Sequence, residues 1–123
     1  MSFVKAKKDI TVYKQFKENG ESPVQDFDWG VLRKNRVLRA DNFDEESGIC
    51  MPGVHAFTSK RYATTRGFDI DVNYIIWECV IPKGTRYYLA DTCEARTSYD
   101  DKCTSRIVRS PIIKLIREIG EIR

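Results

Sequence analysis

Alternating apolar and polar positions predict several strands along the chain. Segment 9–16 alternates and is rich in β-branched and aromatic residues, which places Ile10, Val12 and Lys14 on one face. Segment 73–81 alternates most clearly, and one of its faces is wholly apolar, so we expect that face to point to the core. Shorter strands are predicted at 54–57, 86–90 and 103–109. The apolar face of segment 73–81 consists of Ile75, Trp77, Cys79 and Ile81.

Other segments favour helices or leave the choice open. A hydroxyl of Thr58 or Ser59 can cap a helix over 60–66, which Gly67 would end. Segment 31–38 fits a hairpin or a short helix. At the C-terminus, Ser110-Pro111 is typical of a helix start, and the apolar residues that follow have helical spacing. Gly120 and the many isoleucines favour a strand there. Because of the helical spacing of the apolar residues, we predict a helix.

Together these segments predict an α+β fold, with a mostly antiparallel sheet of about five or six strands and one or two short helices. The 123 residues fit one domain over 1–123, large enough to fold around its own core. The apolar and charged contents, 41% and 32%, exclude a disordered chain. Because the apolar runs are short and the first residues lack a secretory pattern, we expect a cytoplasmic protein that does not enter a membrane.

The net charge and the cysteine content limit the partners and the kinds of site that we expect. The net charge of +3 is low for a dedicated nucleic-acid binder, so duplex nucleic acid is not an expected partner. The four cysteines, in a chain expected to be cytoplasmic, indicate free thiols, with Cys79 in the core. No Cys-x-x-Cys pair is present, so no metal site is expected. Cys103, which follows Lys102, is the best candidate for a reactive thiol, and an inert buried thiol is the commoner case.

Several residues are candidates for an anion site. His55, the only histidine, lies between a glycine turn and the start of the predicted helix. Cations in the first turn of that helix would strengthen the attraction that its free N–H groups have for an anion. On the 86–90 strand, an arginine beside tyrosines can hold a phosphate and stack on a base. An ordinary solvated surface is the alternative. The predicted ligand-binding residues are His55, Thr58, Ser59, Lys60, Arg61, Arg86 and Tyr88.

Four short motifs together resemble an uncharacterised family of small domains from phages, giant viruses and bacteria. These motifs are Tyr13-Lys14 in the opening strand, an acidic loop that ends in Cys50 and is followed by Gly53-Val54-His55-Ala56-Phe57, a strand ending Ile81-Pro82, and Lys102-Cys103. Thr104 stands where the family tends to have arginine. The resemblance implies a fold rather than an activity, and it implies that the last segment is a strand.

A second resemblance is to the layout of ADP-ribosyltransferases. Phe57-Thr58-Ser59, Ala63 and 81–85 look like their strand, alanine-bearing helix and Pro-x-Gly turn. The resemblance implies an enzyme that uses NAD, with Ser59, Tyr62 and Glu94 at the site beside Thr58. However, Tyr13-Lys14 stands where an arginine or histidine would hold NAD. No Gln-x-Glu or Glu-x-Glu pair is present to stabilise the oxocarbenium-like transition state.

We therefore expect a non-enzymatic viral or bacterial accessory module, located in the host cytoplasm if viral. Its expected partner is a small anionic, nucleotide-like ligand or another protein, and it needs no cofactor and no catalytic residue. The alternative is an NAD-using enzyme of the ADP-ribosyltransferase type. A homo-oligomer is compatible with either function.

Overall fold

Eight antiparallel strands make up most of the described chain, which in this computed structural model comprises residues 2–17, 29–40, 43, 53–60, 74–91 and 106–122. They form one sheet in the order β1-β6-β7-β4-β2-β5-β8-β3. The strands are β1 (Ser2–Lys5), β2 (Ile10–Lys17), β3 (Val37–Arg39), β4 (Val54–Phe57), β5 (Tyr74–Ile81), β6 (Arg86–Asp91), β7 (Arg106–Ser110) and β8 (Ile112–Ile122).

The predicted α+β class is therefore wrong. Apart from one helical residue, Lys60, the described residues contain no helix, and the strands number eight rather than five or six. The predicted strands at 9–16, 54–57, 73–81 and 86–90 correspond to β2, β4, β5 and β6, and the later part of 103–109 lies in β7. The additional strands β1 and β3 have four and three residues. The helix predicted over 60–66 lies, after Lys60, outside the described residues.

The prediction of a C-terminal helix is also wrong, because this segment forms the long strand β8 along β5. Its register shifts twice, between Ile76 and Trp77 and between Glu78 and Cys79 of β5. At each shift β8 contains one residue more than β5, namely Ile116 and Ile119. Such bulges interrupt the period of two. The resulting apolar spacing of three and four residues imitates a helix, which explains the error.

Ser110 and Pro111 form a sharp corner between strands instead of a helix start. The Ser110 hydroxyl donates to the Ile112 carbonyl at 2.7 Å and accepts the Ile112 N–H at 3.2 Å. The corner joins β7 to β8, although three strands separate them in the sheet. A single connecting residue can do this only if the sheet folds over and brings the end of β7 close to the start of β8.

The folded sheet has two halves with the main core between them. The first half is β1-β6-β7-β4 and the second half is β2-β5-β8-β3, and the ladder between them has one pair, Tyr13 with Phe57. Alternate residues of both halves point inward and exclude water, which is the main stabilising term of such a fold. The buried core residues are Ala6, Val12, Phe16, Trp29, Leu38, Val54, Ala56, Trp77, Cys79, Ile81, Tyr87, Val108, Ile113 and Leu115.

The two faces of β5 differ less than the sequence pattern indicates. Trp77, Cys79 and Ile81 are buried, as predicted, and Cys79 is a free thiol. Tyr74 and Ile76 on the opposite face are also buried, in a second cluster with Phe57 and Ile107. Tyr74 is therefore a packing residue rather than part of an exposed sheet face.

Segment 31–38 forms a turn followed by β3, not a helix. Asn35 has a φ of 69°, a left-handed conformation that asparagine tolerates better than most residues. Its N–H donates to the Leu115 carbonyl, and the Leu115 N–H donates to the Arg36 carbonyl, both at 2.8 Å. These bonds attach the turn to the edge of β8. No helix in the described ranges is long and apolar enough to cross a membrane.

Candidate functional site

Four residues on neighbouring strands of the first half form a row across one face of the sheet. Phe3 of β1 is the register partner of Tyr88 in β6, Tyr88 that of Arg109 in β7, and Arg109 that of His55 in β4. Register partners in antiparallel strands point to the same face. We call Phe3, Tyr88, Arg109 and His55 the cation–aromatic row.

Arg109 is the centre of the row and is completely buried. Its guanidinium carbon lies 5.1 Å from the Tyr88 ring centroid, 5.9 Å from that of Phe3 and 5.0 Å from that of Phe43. Phe3 also packs edge to face against Tyr88 and Phe43, at 5.3 and 6.2 Å between centroids. Ring faces attract a cation most strongly where water is excluded, so these three rings hold a permanent positive charge in the sheet.

Gly53, directly before β4, makes room for the stem of Arg109. A Cβ at this position would lie 2.5 Å from Cγ of Arg109 and 3.2 Å from Cδ1 of Phe43. Its φ of 156° is also one that side-chain-bearing residues rarely adopt. Glycine is therefore required here for the arginine stem to pass close to the backbone of the Gly53 turn.

The accessible part of the site is its rim. Arg86 is exposed, and its guanidinium carbon lies 5.4 Å from the Phe3 ring centroid. Phe3 and His55 are half-buried, whereas Tyr88 is only 1% exposed. A ligand would therefore meet Arg86, Phe3 and His55 first, above a buried floor formed by Arg109 and Tyr88.

The structure brings together three of the predicted site residues and separates the others from them. His55, Arg86 and Tyr88 lie in or beside the row. Thr58, Ser59 and Lys60 follow the end of β4, and the strand register puts Arg86 towards the opposite end of that strand. Lys60 is exposed. The remaining predicted positions lie outside the described residues, namely Arg61, Tyr62, Glu94, Cys50, Cys93 and Cys103.

The sequence prediction missed Arg109, Phe3 and Phe43 as members of one site. Arg109 follows Ile107 and Val108 in a buried strand, and a charged residue in such a strand is a recognisable sign of a polar function. Phe3 and Phe43 lie more than 60 positions away from Arg109 along the chain, so only the folded structure shows that they meet it.

A second buried cation, Lys14 of β2, lies on the inward side of the sheet. Its Nζ donates to the His55 carbonyl at 2.8 Å and lies 5.2 Å from the Phe16 ring centroid. Burial lowers the pKa of this ammonium from 10.5 to about 8. Burial also raises the pKa of the Cys79 thiol to about 12, and the charge of Lys14 opposes that shift. The nearby indole Nε1 of Trp77 is buried with no hydrogen-bond partner.

Metal ligation has no support among the residues described. No group of three histidine, cysteine or acidic side chains within those ranges is placed to hold a metal ion. The chain matches no protein-family model, and no curated protein or solved structure is similar to it. The two resemblances drawn from its motifs therefore stay predictions.

Proposed function

We propose that this protein binds a small anionic, nucleotide-like ligand at the rim of the cation–aromatic row. The observation that supports this proposal most is the stacking of two arginines, Arg86 and Arg109, on the single ring of Phe3. Arg86 is exposed and Arg109 is buried, so the ring of Phe3 contacts one reachable guanidinium and one enclosed guanidinium.

Arg86 is the ligand-contacting group in this proposal. A guanidinium can bind a phosphate through two parallel hydrogen bonds. Its other face can stack on a planar base. Arg109 contributes its charge from below, and the half-buried His55 borders the same rim.

The test is a thermal-shift screen against inorganic phosphate, ATP, GTP and cyclic nucleotides. A ligand at about 100 times its dissociation constant adds about 2.7 kcal/mol to the free energy of unfolding, so the melting temperature should rise with ligand concentration. Arg86→Gln should abolish most of the rise. Arg39→Gln is the matched control, because Arg39 is also an exposed arginine on a strand, β3, in the other half. The proposal fails if no nucleotide stabilises the protein or if both variants respond like wild type.

The expectations of a protein partner and of an NAD-using enzyme are not favoured by any contact described above. Of the residues that the NAD alternative requires, Ser59 follows the end of β4 that lies away from Arg86. Transfer of label from radioactive NAD to a protein, lost on Glu94→Gln, would nevertheless replace our proposal by the enzymatic one.

A further inference from the structure

Five cations gather at one end of the first half, where two turns lie side by side. Lys5 is the register partner of Arg86, and the turns that follow and precede these residues are joined by two backbone hydrogen bonds. The Ala6 N–H donates to the Thr85 carbonyl and the Gly84 N–H to the Ala6 carbonyl, both at 2.8 Å. We call the resulting surface the basic patch. It consists of Lys5, Lys7, Lys8, Lys83 and Arg86, all exposed.

The lysines of the basic patch are not neutralised by any described neighbour. Across the described ranges, no ion pair involves Lys5, Lys7, Lys8 or Lys83. One carboxylate, Asp9, lies in these turns, and its Oδ1 accepts the backbone N–H of Lys83 at 2.8 Å. Even with Asp9 included, the four lysines carry three positive charges in excess, as many as the net +3 of the whole chain.

The register places two cationic side chains next to each other. Lys5 and Arg86 face each other directly across the β1–β6 ladder, so both side chains leave the same face of the sheet. We expect a phosphate bound at this position to be shared by both side chains. This pairing supports a ligand independently of the simple excess of lysines.

From these observations we infer that the basic patch and the row together bind single-stranded nucleic acid. This inference rests on the proposed function, because one nucleotide would occupy the rim while the neighbouring phosphates follow the lysines. Arg86 belongs to both surfaces: its ring contact is with Phe3 of the row, and its register partner is Lys5 of the patch. Positive grooves next to stacking groups are the usual way of binding single strands without sequence preference.

Two other polyanions fit less well. A duplex hides its bases, so the stacking surface of Arg86 would have no use. An anionic membrane is usually bound by basic residues together with an apolar anchor. Among the described residues, the exposed large hydrophobic side chains are Val31 and Val37, which lie before and within β3 in the other half.

Fluorescence anisotropy with a labelled oligothymidylate of about 12 nucleotides, within the usual site sizes, tests the inference. We expect the triple variant Lys5→Gln, Lys7→Gln, Lys83→Gln to bind at least about tenfold more weakly at low salt. Its salt dependence should also be shallower than that of wild type, by about 0.7 in the logarithmic slope for each phosphate that the variant no longer neutralises.

The matched control is Arg33→Gln, Lys34→Gln, Arg39→Gln, which removes the same charge from exposed positions in the other half. It should bind the oligonucleotide within about twofold of wild type after the general salt effect is included. Thermal melts of both variants show that they are folded, and the wild-type salt slope provides a second readout that needs no variant.

Several results would overturn the inference. These are no binding of the oligonucleotide, equal loss in both triple variants, or preferential binding to a duplex or to phosphatidylserine vesicles with the same lysine dependence. If ATP still stabilises the protein while the oligonucleotide binds no better than ATP, the nucleotide site stands and the basic patch has no part in it. If neither binds, the proposed function fails as well.

Discussion

The two buried cations of this sheet, Arg109 and Lys14, lie on opposite sides of it and solve the same physical problem differently. Arg109 lies in the first half among three aromatic rings, and Lys14 lies in the core between the halves and donates to a backbone carbonyl. Arginine remains charged in proteins and is weakly hydrated, whereas a buried lysine readily loses its proton. The first arrangement therefore keeps a positive charge near the rim that we propose as the ligand site, and the second holds strands together.

His55 connects the two sides. Its side chain is in register with Arg109, while its carbonyl accepts the Lys14 ammonium. The ladder between β2 and β4 has a single register pair, Tyr13 with Phe57. Lys14 thus supplies a further link between the halves close to the place where the row ends.

The largest expected effect follows from removing the Arg109 side chain from between its three aromatic rings. Arg109→Ala should lower the free energy of unfolding by about 3–5 kcal/mol, because Phe3, Phe43 and Tyr88 lose a fully buried neighbour. Urea denaturation measures the loss, with Arg39→Ala as the exposed control. A loss below about 1 kcal/mol would mean that the rings do not depend on this side chain.

Gly53→Ala should have the next largest effect, about 1–3 kcal/mol, since the added Cβ would collide with the stem of Arg109. Gly120→Ala is the matched control, because a Cβ there would have no atom within 4 Å. Equal urea midpoints for the two variants would show that Arg109 and Phe43 move aside without loss.

Lys14 should make stability depend on pH in the alkaline range. Below pH 8 its ammonium is protonated in both states, so burial of the charge destabilises the fold. Above pH 8 the folded state releases the proton while the unfolded state retains it up to about 10.5, so stability rises. Above about pH 9 the Cys79 thiol opposes this rise, since the unfolded state loses that proton first.

The net increase should therefore be about 1 kcal/mol between pH 8 and 9, because one proton contributes at most about 1.4 kcal/mol per pH unit. Urea unfolding across this range measures it. In Lys14→Met the increase should be absent. A wild-type protein whose stability is flat or falls between pH 8 and 9, or a variant with the same rise, would contradict the assignment.

The smallest effect is expected for an ion pair outside both cation sites. Arg117 Nε lies 3.2 Å from Glu78 Oε2, and the arginine side chain is 65% exposed. Arg117→Gln should change the free energy of unfolding by no more than about 0.5 kcal/mol, because solvent screens exposed pairs. A loss comparable to that of Gly53→Ala would show that burial is not what makes Arg109 and Lys14 differ from the exposed Arg117.

The parts of the fold that can be predicted from the sequence are those with a local, regular pattern of apolar and polar residues. The inward face of β5 and the core position of Cys79 follow from strict alternation. Strand β8 was mistaken for a helix because its two bulges shift the alternation, and whether a bulge forms depends on the partner strand. Strand β3 has three residues, too few to show a period, so it is defined by its pairing with β8 rather than by its own sequence.

The candidate site could be predicted only in part for the same reason. His55, Arg86 and Tyr88 have residue types and neighbours that suggest a ligand. Their meeting with Phe3 and Arg109 depends on the order β1-β6-β7-β4, in which β1 and β4 are separated along the chain. No spacing within the sequence encodes that order.

A titration of the ¹⁵N-labelled protein with ATP, followed by amide chemical shifts, tests the central claim most directly. The rim of the row should respond in a saturable manner, with the largest changes at Phe3, His55 and Arg86, and the amides of β3 should stay unchanged. Changes confined to β3, or no saturable change at the rim, would contradict the assignment of the cation–aromatic row as the ligand site.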